Sequence, residues 1–148
     1  MNHIVFLAFA IVIANFSYAF AQANTPCQNP GFLDKNSILS AVENKLVCAK
    51  STTNKNRWSE EHLKSGDLYE YAKGSGDKVD PRRKAGTWAV KGAGNNTVIQ
   101  YNYGTGGTYD RGLWTKDNTT YTFCDGSKAV ATATIISPIP SSGANPCP

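Results

Sequence analysis

The densest group of titratable side chains in this 148-residue chain is the stretch WSEEHLKSGDLYEY, which holds Glu60, Glu61, His62, Asp67 and Glu70. Paired carboxylates are the equipment of glycoside hydrolysis, which sets one as acid and the other as base or nucleophile at a fixed separation across the scissile bond. A hydrolase using carboxylates from residues 60–70 together with Asp110 is therefore one reading of the chain. Nucleophilic catalysis is not supported, because it needs a nucleophile, a base and an orienting group together, and His62 has a Glu neighbour but no convincing nucleophile. The commoner structure for such a run is a hairpin with a solvated acidic face, so no residue is assigned a catalytic role.

Binding chemistry is better represented. Trp58, Tyr69, Tyr71, Tyr101, Tyr103, Tyr109 and Trp114 share strand-like runs with Asn, Gln, Asp and Thr. Flat rings beside hydrogen-bonding side chains suit a glycan or a small amphipathic molecule, although aromatic residues are also ordinary strand formers. The run Arg82-Arg83-Lys84 follows the turn signal Asp80-Pro81, and its Arg82 and Arg83 have the forked donors that grip phosphate or sulfate. Its plainer reading is a solvated loop. YGTGGTY lacks the Lys-Ser/Thr end of a phosphate loop and reads as a hairpin turn.

Other classes are excluded by composition. The 15 Lys and Arg against 11 Asp and Glu give a formal charge of +4, a mild excess without a nucleic-acid footprint and a poor match to cationic protein targets. Cys27, Cys48, Cys124 and Cys147 are too widely spaced for a zinc motif, and His62 is the sole histidine beyond the leader, so neither metal nor cofactor is expected.

The elements that must position these residues begin after residue 21. Residues 1–21 are apolar from Ile4 onward and end at the small-x-small sites Ala19-Phe20-Ala21 and Ala21-Gln22-Ala23, as in a secretory signal peptide. Asn15, Ser17 and Gln22 argue for cleavage over a membrane anchor, which implies a periplasmic or secreted protein. An even cysteine count in such a protein implies two disulfides. The spacing favours Cys27–Cys48 and Cys124–Cys147, each closing a loop of roughly 20 residues and contributing about 3 kcal/mol. The crossed pairings would staple the N-terminal region to the last strands.

Residues 22–55 read as a loop followed by one short amphipathic helix. Ile38, Leu39, Val42, Leu46 and Val47 lie at near-helical spacing, Asp34 or Ser37 supplies the N-cap, and Cys48 sits at the far end. Residues 56–136 read as a β domain: RWSEEHL, DLYEYAK, GTWAVK, TVIQYNY, TYDRGLWT, TTYTFC and KAVATAT are separated by Gly-, Asn- and Asp-rich turns. Period-two alternation places Ile99, Tyr101 and Tyr103 on one face, and likewise groups Trp88 with Val90, Tyr121 with Phe123, and Tyr109 with Arg111 and Leu113. Residues 137–148 form a Pro- and Ser-rich strap ending near Cys147. The fold class expected is mainly β: a small antiparallel meander or barrel-like sheet of roughly six or seven strands, with one N-terminal helix and two disulfides.

The strings DPRRKAGTWAV, YNYGTGGTY and YTFC resemble a pattern in short, uncharacterised exported bacterial proteins, and that resemblance brings no activity with it. Gly86-Thr87-Trp88 also resembles the Gly-x-Trp of the lipocalin and avidin-like (calycin) barrels, where it opens the first strand and the Trp plugs the closed end. Here a helix and two strand-like runs precede it, which makes it a middle strand and Trp88 a core aromatic. The expectation is an exported β domain that binds a small-molecule or glycan ligand without catalysis. The alternatives are an envelope interaction or inhibitor protein working through turns 74–77 and 104–107, and the carboxylate hydrolase. No nucleic-acid partner and no stable membrane anchor are expected.

Overall fold

The computed structural model describes residues 25–54, 56–71, 82–139 and 147. The expected leader, the expected turn at 74–77 and most of the expected C-terminal strap lie outside the described residues. Asp34 caps the helix α1 (Lys35–Val42), its side chain accepting from the Ser37 N–H at 2.8 Å. The helix stops well short of Val47. Asn44 takes a left-handed φ of 55° and its N–H donates to the His62 carbonyl at 2.7 Å, which turns the chain into a strand. Asn is among the few residues that tolerate this conformation. Leu46 and Val47, expected to extend the helix, therefore belong to β1 (Lys45–Ser51).

Seven more strands follow: β2 (Arg57–His62), β3 (Asp67–Tyr71), β4 (Arg83–Lys91), β5 (Val98–Asn102), β6 (Thr108–Thr115), β7 (Tyr121–Asp125) and β8 (Lys128–Ile136). Each pairs antiparallel with the next, and β1 pairs with β8 to close an eight-stranded barrel. The expected meander thus gains one strand, and that strand is the one that closes it. Closure satisfies both edges that an open sheet would leave unpaired.

Neighbouring residues on a strand face opposite sides, and the register fixes which side. Val47, Ala49, Leu68, Trp88, Ile99, Tyr101, Leu113, Phe123, Ala131 and Ala133 point inward and form one core with Ile38, Ala41 and Val42 of α1. The expected groupings of Ile99 with Tyr101 and of Trp88 with Val90 hold on this inner face. Because α1 runs directly into the start of β1, it caps the barrel end where β2 finishes and β3 begins. Trp88 helps seal that end, its indole donating to the Leu63 carbonyl at 2.9 Å.

Gly86 does not begin its strand, as its place after the Arg-Arg-Lys run suggested; it lies inside β4. A Cβ there would stand 2.1 Å from the Asn102 carbonyl oxygen, so only glycine lets β4 approach β5 this closely.

The disulfides are Cys27–Cys124 and Cys48–Cys147, the crossed arrangement. The sequential pairing, favoured by short loop spacing, fails because Cys27 and Cys48 lie on different parts of the barrel wall. Cys48 faces outward from β1, beside Leu46 and Tyr71, where Cys147 meets it. The N-terminal segment instead crosses the outer wall of β6 and β7: Phe32 bridges Trp114, Leu33 donates to the Leu113 carbonyl, and Cys27 meets the outward-facing Cys124. Two disulfides place the folded chain in an oxidising compartment.

Candidate functional site

At the end opposite α1, the barrel interior is not filled. A cavity of about 270 Å3 is lined by Trp58 and Glu60 from β2, Tyr101 of β5, Tyr103 just beyond it, Tyr109 and Arg111 from β6, Phe123 from β7, and Val130 and Ala131 from β8. Tyr109 is the exposed large apolar side chain at its mouth, at 44% of full exposure.

Glu60 defines the chemistry of this cup. It is 5% exposed, and its Oε1 accepts from the Tyr103 hydroxyl at 2.6 Å. Burial drives its pKa up from 4.5 to about 7, the Tyr103 hydrogen bond opposes that, Glu70 repels it upward, and a hydrogen bond from Trp58 opposes it again. A carboxyl that sits between its two protonation states at neutral pH can therefore either donate or accept toward a guest.

Beneath it, His62 is fully buried. Its Nε2 meets the Tyr101 hydroxyl at 3.0 Å, its Nδ1 lies 3.2 Å from the Glu60 carbonyl, and its ring packs edge-on against Trp88 at 5.1 Å. Desolvation holds its pKa down, at about 4, so it is a neutral imidazole joining the cavity wall to the sealed end. The Tyr101 and Tyr103 hydroxyls are pushed well above their usual range, first by burial and then by Glu60, and serve as fixed donors. At the mouth, Arg111 donates to the Asp110 carbonyl at 2.8 Å, pairs with Asp125 at 3.4 Å and stands 5.4 Å from the Tyr109 ring centre.

Of the residues expected to bind ligand, Trp58, Tyr101, Tyr103 and Tyr109 converge in the cavity, and the others do not. Tyr69 and Tyr71 alternate to the outer face of β3. There Tyr71 donates to the buried Glu61 at 2.6 Å, Arg82 binds the same carboxylate at 2.7 Å, and the Arg82 guanidinium covers the Tyr69 ring at 3.7 Å. Glu61 is thus a satisfied structural ion pair, and burial with Glu61 beside it pushes the Tyr71 hydroxyl up to about 12. Arg83 is held at the rim by Glu70 at 2.6 Å. Trp114 faces outward under the N-terminal segment, donating to the Gln28 carbonyl at 2.9 Å, with Gly31 directly against its ring.

Glu60, Arg111, Phe123, Val130 and Ala131 were not among the expected ligand contacts. The signal for Glu60 was present, since Trp58, Glu60 and His62 share one face of WSEEH by alternation and Ser59 and Glu61 the other. The carboxyls required for hydrolysis are dispersed: Glu70 is engaged by Arg83, and Asp110 faces away from the cavity and accepts from Gln100 at 3.0 Å. Among the described residues lining the cavity, Glu60 is the one carboxyl. The tip at Gly104–Gly106 presents glycine and threonine, not the apolar point that an inhibitor loop would insert. Among the described residues there is no cluster of metal-ligating side chains.

No protein-family model matches the chain, and neither does any curated protein or solved structure.

Proposed function

We propose that this protein is an exported binding cup, periplasmic or secreted, that takes a small amphipathic molecule or a single glycan residue into the open end of its barrel without catalysis. The observation that carries this reading is the cavity itself: rings on several sides, a buried carboxyl on its wall and a mouth open to solvent. Pockets that bind small molecules are mostly apolar with a few convergent polar groups, and this one has that make-up. A cavity near 150 Å3 holds benzene, so about 270 Å3 accommodates a guest of about eleven heavy atoms. The leader-like residues 1–21 and the two disulfides support export.

Trp58 lines the cavity, so its fluorescence reports occupancy. Titration with phenols, indole and monosaccharides, read by fluorescence and by thermal shift, should find at least one ligand. Ala131→Leu, which adds three carbons to the cavity wall, should abolish that response while leaving the fold intact. If no probe shifts either signal, or if binding survives Ala131→Leu, the cup is not the binding site.

A further inference from the structure

We infer, building on the binding-cup reading, that the guest is a small organic cation: an ammonium carried on a ring-sized body, seated among the aromatic walls and against Glu60. The argument is one of charge balance. Two ionised groups that flank the mouth already have charged partners, Arg83 with Glu70 at 2.6 Å and Arg111 with Asp125 at 3.4 Å. Lys128, opposite Asp125 at the tip of the β7–β8 hairpin, is exposed and outside the cavity lining. Both hydrogen-bond donors to Glu60, the Tyr103 hydroxyl and Trp58, are neutral. They hydrogen-bond the carboxyl without supplying a positive charge, so its ionised form lacks a counter-ion in the cavity, and a cationic guest would supply one.

The walls favour the same guest. Trp58, Tyr101, Tyr103, Tyr109 and Phe123 surround the space, with Tyr101 and Tyr103 stacked at 6.2 Å and Tyr103 and Tyr109 edge to face at 6.0 Å. Ring faces carry negative potential and attract ammonium groups, most strongly where water is excluded. Aromatic walls beside an uncompensated carboxylate select a cation over a neutral body of equal shape, and repel an anion.

Three probes of nearly equal size separate the possibilities: phenethylamine, its neutral counterpart 2-phenylethanol, and phenylacetate, each titrated by Trp fluorescence and calorimetry at pH 7.5. Phenethylamine should bind on the order of tenfold to a hundredfold more tightly than 2-phenylethanol, the range of a charge-assisted contact. Glu60→Gln should remove most of that preference while changing 2-phenylethanol affinity less than about threefold. Asp125→Asn, an exposed change that should leave folding intact, frees the Arg111 charge and should weaken phenethylamine by roughly twofold to fivefold. Equal binding of the amine and the alcohol overturns the cation inference and leaves the cup standing. Preference for phenylacetate overturns it in favour of Arg111 as the charge partner. Failure of all three probes overturns it too, and if the wider panel also fails, the cup reading falls with it.

Discussion

Glu60 and His62 lie two residues apart on one inward face, and their effects on stability oppose each other. Glu60 is raised from 4.5 to about 7 because burial disfavours its charged form. The folded chain therefore holds this proton more tightly than the unfolded chain, so the contribution is complete below pH 4.5 and is lost as pH rises through about 7. At 5% exposure little solvent screening intervenes, and the loss amounts to about 3 kcal/mol. His62 is lowered from 6.5 to about 4, again by burial. Its contribution is present above pH 6.5 and is lost on acidification through about 4, also by about 3 kcal/mol. Between pH 4.5 and 6.5 the two slopes cancel, and the wild-type stability should be nearly flat there.

Glu60→Gln removes one slope and uncovers the other. The Gln carbonyl still accepts from Tyr103, so the hydrogen bond seen at 2.6 Å is kept while the ionisation is lost. Urea unfolding of both proteins from pH 4.5 to 8 is the assay. The variant should gain stability over wild type by about 3 kcal/mol across that range, equivalent to about 10 °C in melting temperature. Its own curve should rise from pH 4.5 to 6.5, the His62 slope standing alone. The lowered carboxyls Asp34, Asp67 and Asp117 are common to both proteins and drop out of the difference. A difference that does not change with pH would refute the reasoning, because Glu60 would then be ionising as freely in the fold as out of it.

The disulfides span 97 and 99 residues, so replacing either Cys27 and Cys124 or Cys48 and Cys147 by alanine should cost about 4 to 5 kcal/mol in urea unfolding. Because the two loops overlap, each bridge left in place shortens the loop the other closes, so removing both pairs should cost roughly 1 kcal/mol more than the sum of the separate losses. Peptide mapping without reduction should recover the Cys27 peptide joined to the Cys124 peptide, and a Cys27–Cys48 link would contradict this closure. Gly86→Ala forces a methyl group into the Asn102 carbonyl and should destabilise the barrel by about 3 kcal/mol or more, which thermal unfolding would register. An unchanged melting temperature would mean that β4 and β5 do not approach so closely.

What was legible in the sequence was local. Alternation in TVIQYNY and TYDRGLWT sorted the side chains into the correct two faces, because the period of a strand is fixed by its own backbone. The Asp34 cap was readable for the same reason, since a cap and its helix are adjacent in the chain. What failed depended on contacts distant in sequence. KLVCAKS continued the apolar spacing of the helix before it, and only its pairing with both β2 and β8 makes it a strand. The disulfide pairing failed likewise: short loop length favoured Cys27 with Cys48, whereas distant contacts of β1 and β7 bring Cys48 to Cys147 and Cys27 to Cys124. Among the aromatic candidates, Tyr71 and Trp114 show the remaining limit, because alternation separates the two faces of a strand but does not say which face is the inside. That is decided by what packs on the outer wall, namely Cys147 beside Tyr71 and residues 27–33 over Trp114.

The position of the cup follows from how side-chain volume is distributed along the barrel. Eight strands enclose a space that side chains can just fill. At the end capped by α1 they do so, with Leu68, Trp88, Ile99 and Leu113 meeting Ile38 and Val42. Toward the mouth, the wall formed by β1 and β8 becomes small: Ala49 pairs with Ala133, and Ala131 stands opposite Phe123. The facing strands supply rings, but rings from one side cannot reach across to alanine on the other, and about 270 Å3 stays open. A protein selected only for stability would close this space with a branched residue on β8, since filling a cavity is among the commonest stabilising changes. Instead the chain keeps alanine there and turns the Glu60 carboxyl inward, a group whose burial lowers stability at neutral pH by about 3 kcal/mol. Two departures from the best packing, adjoining the same space, support the proposed binding cup over a solid core.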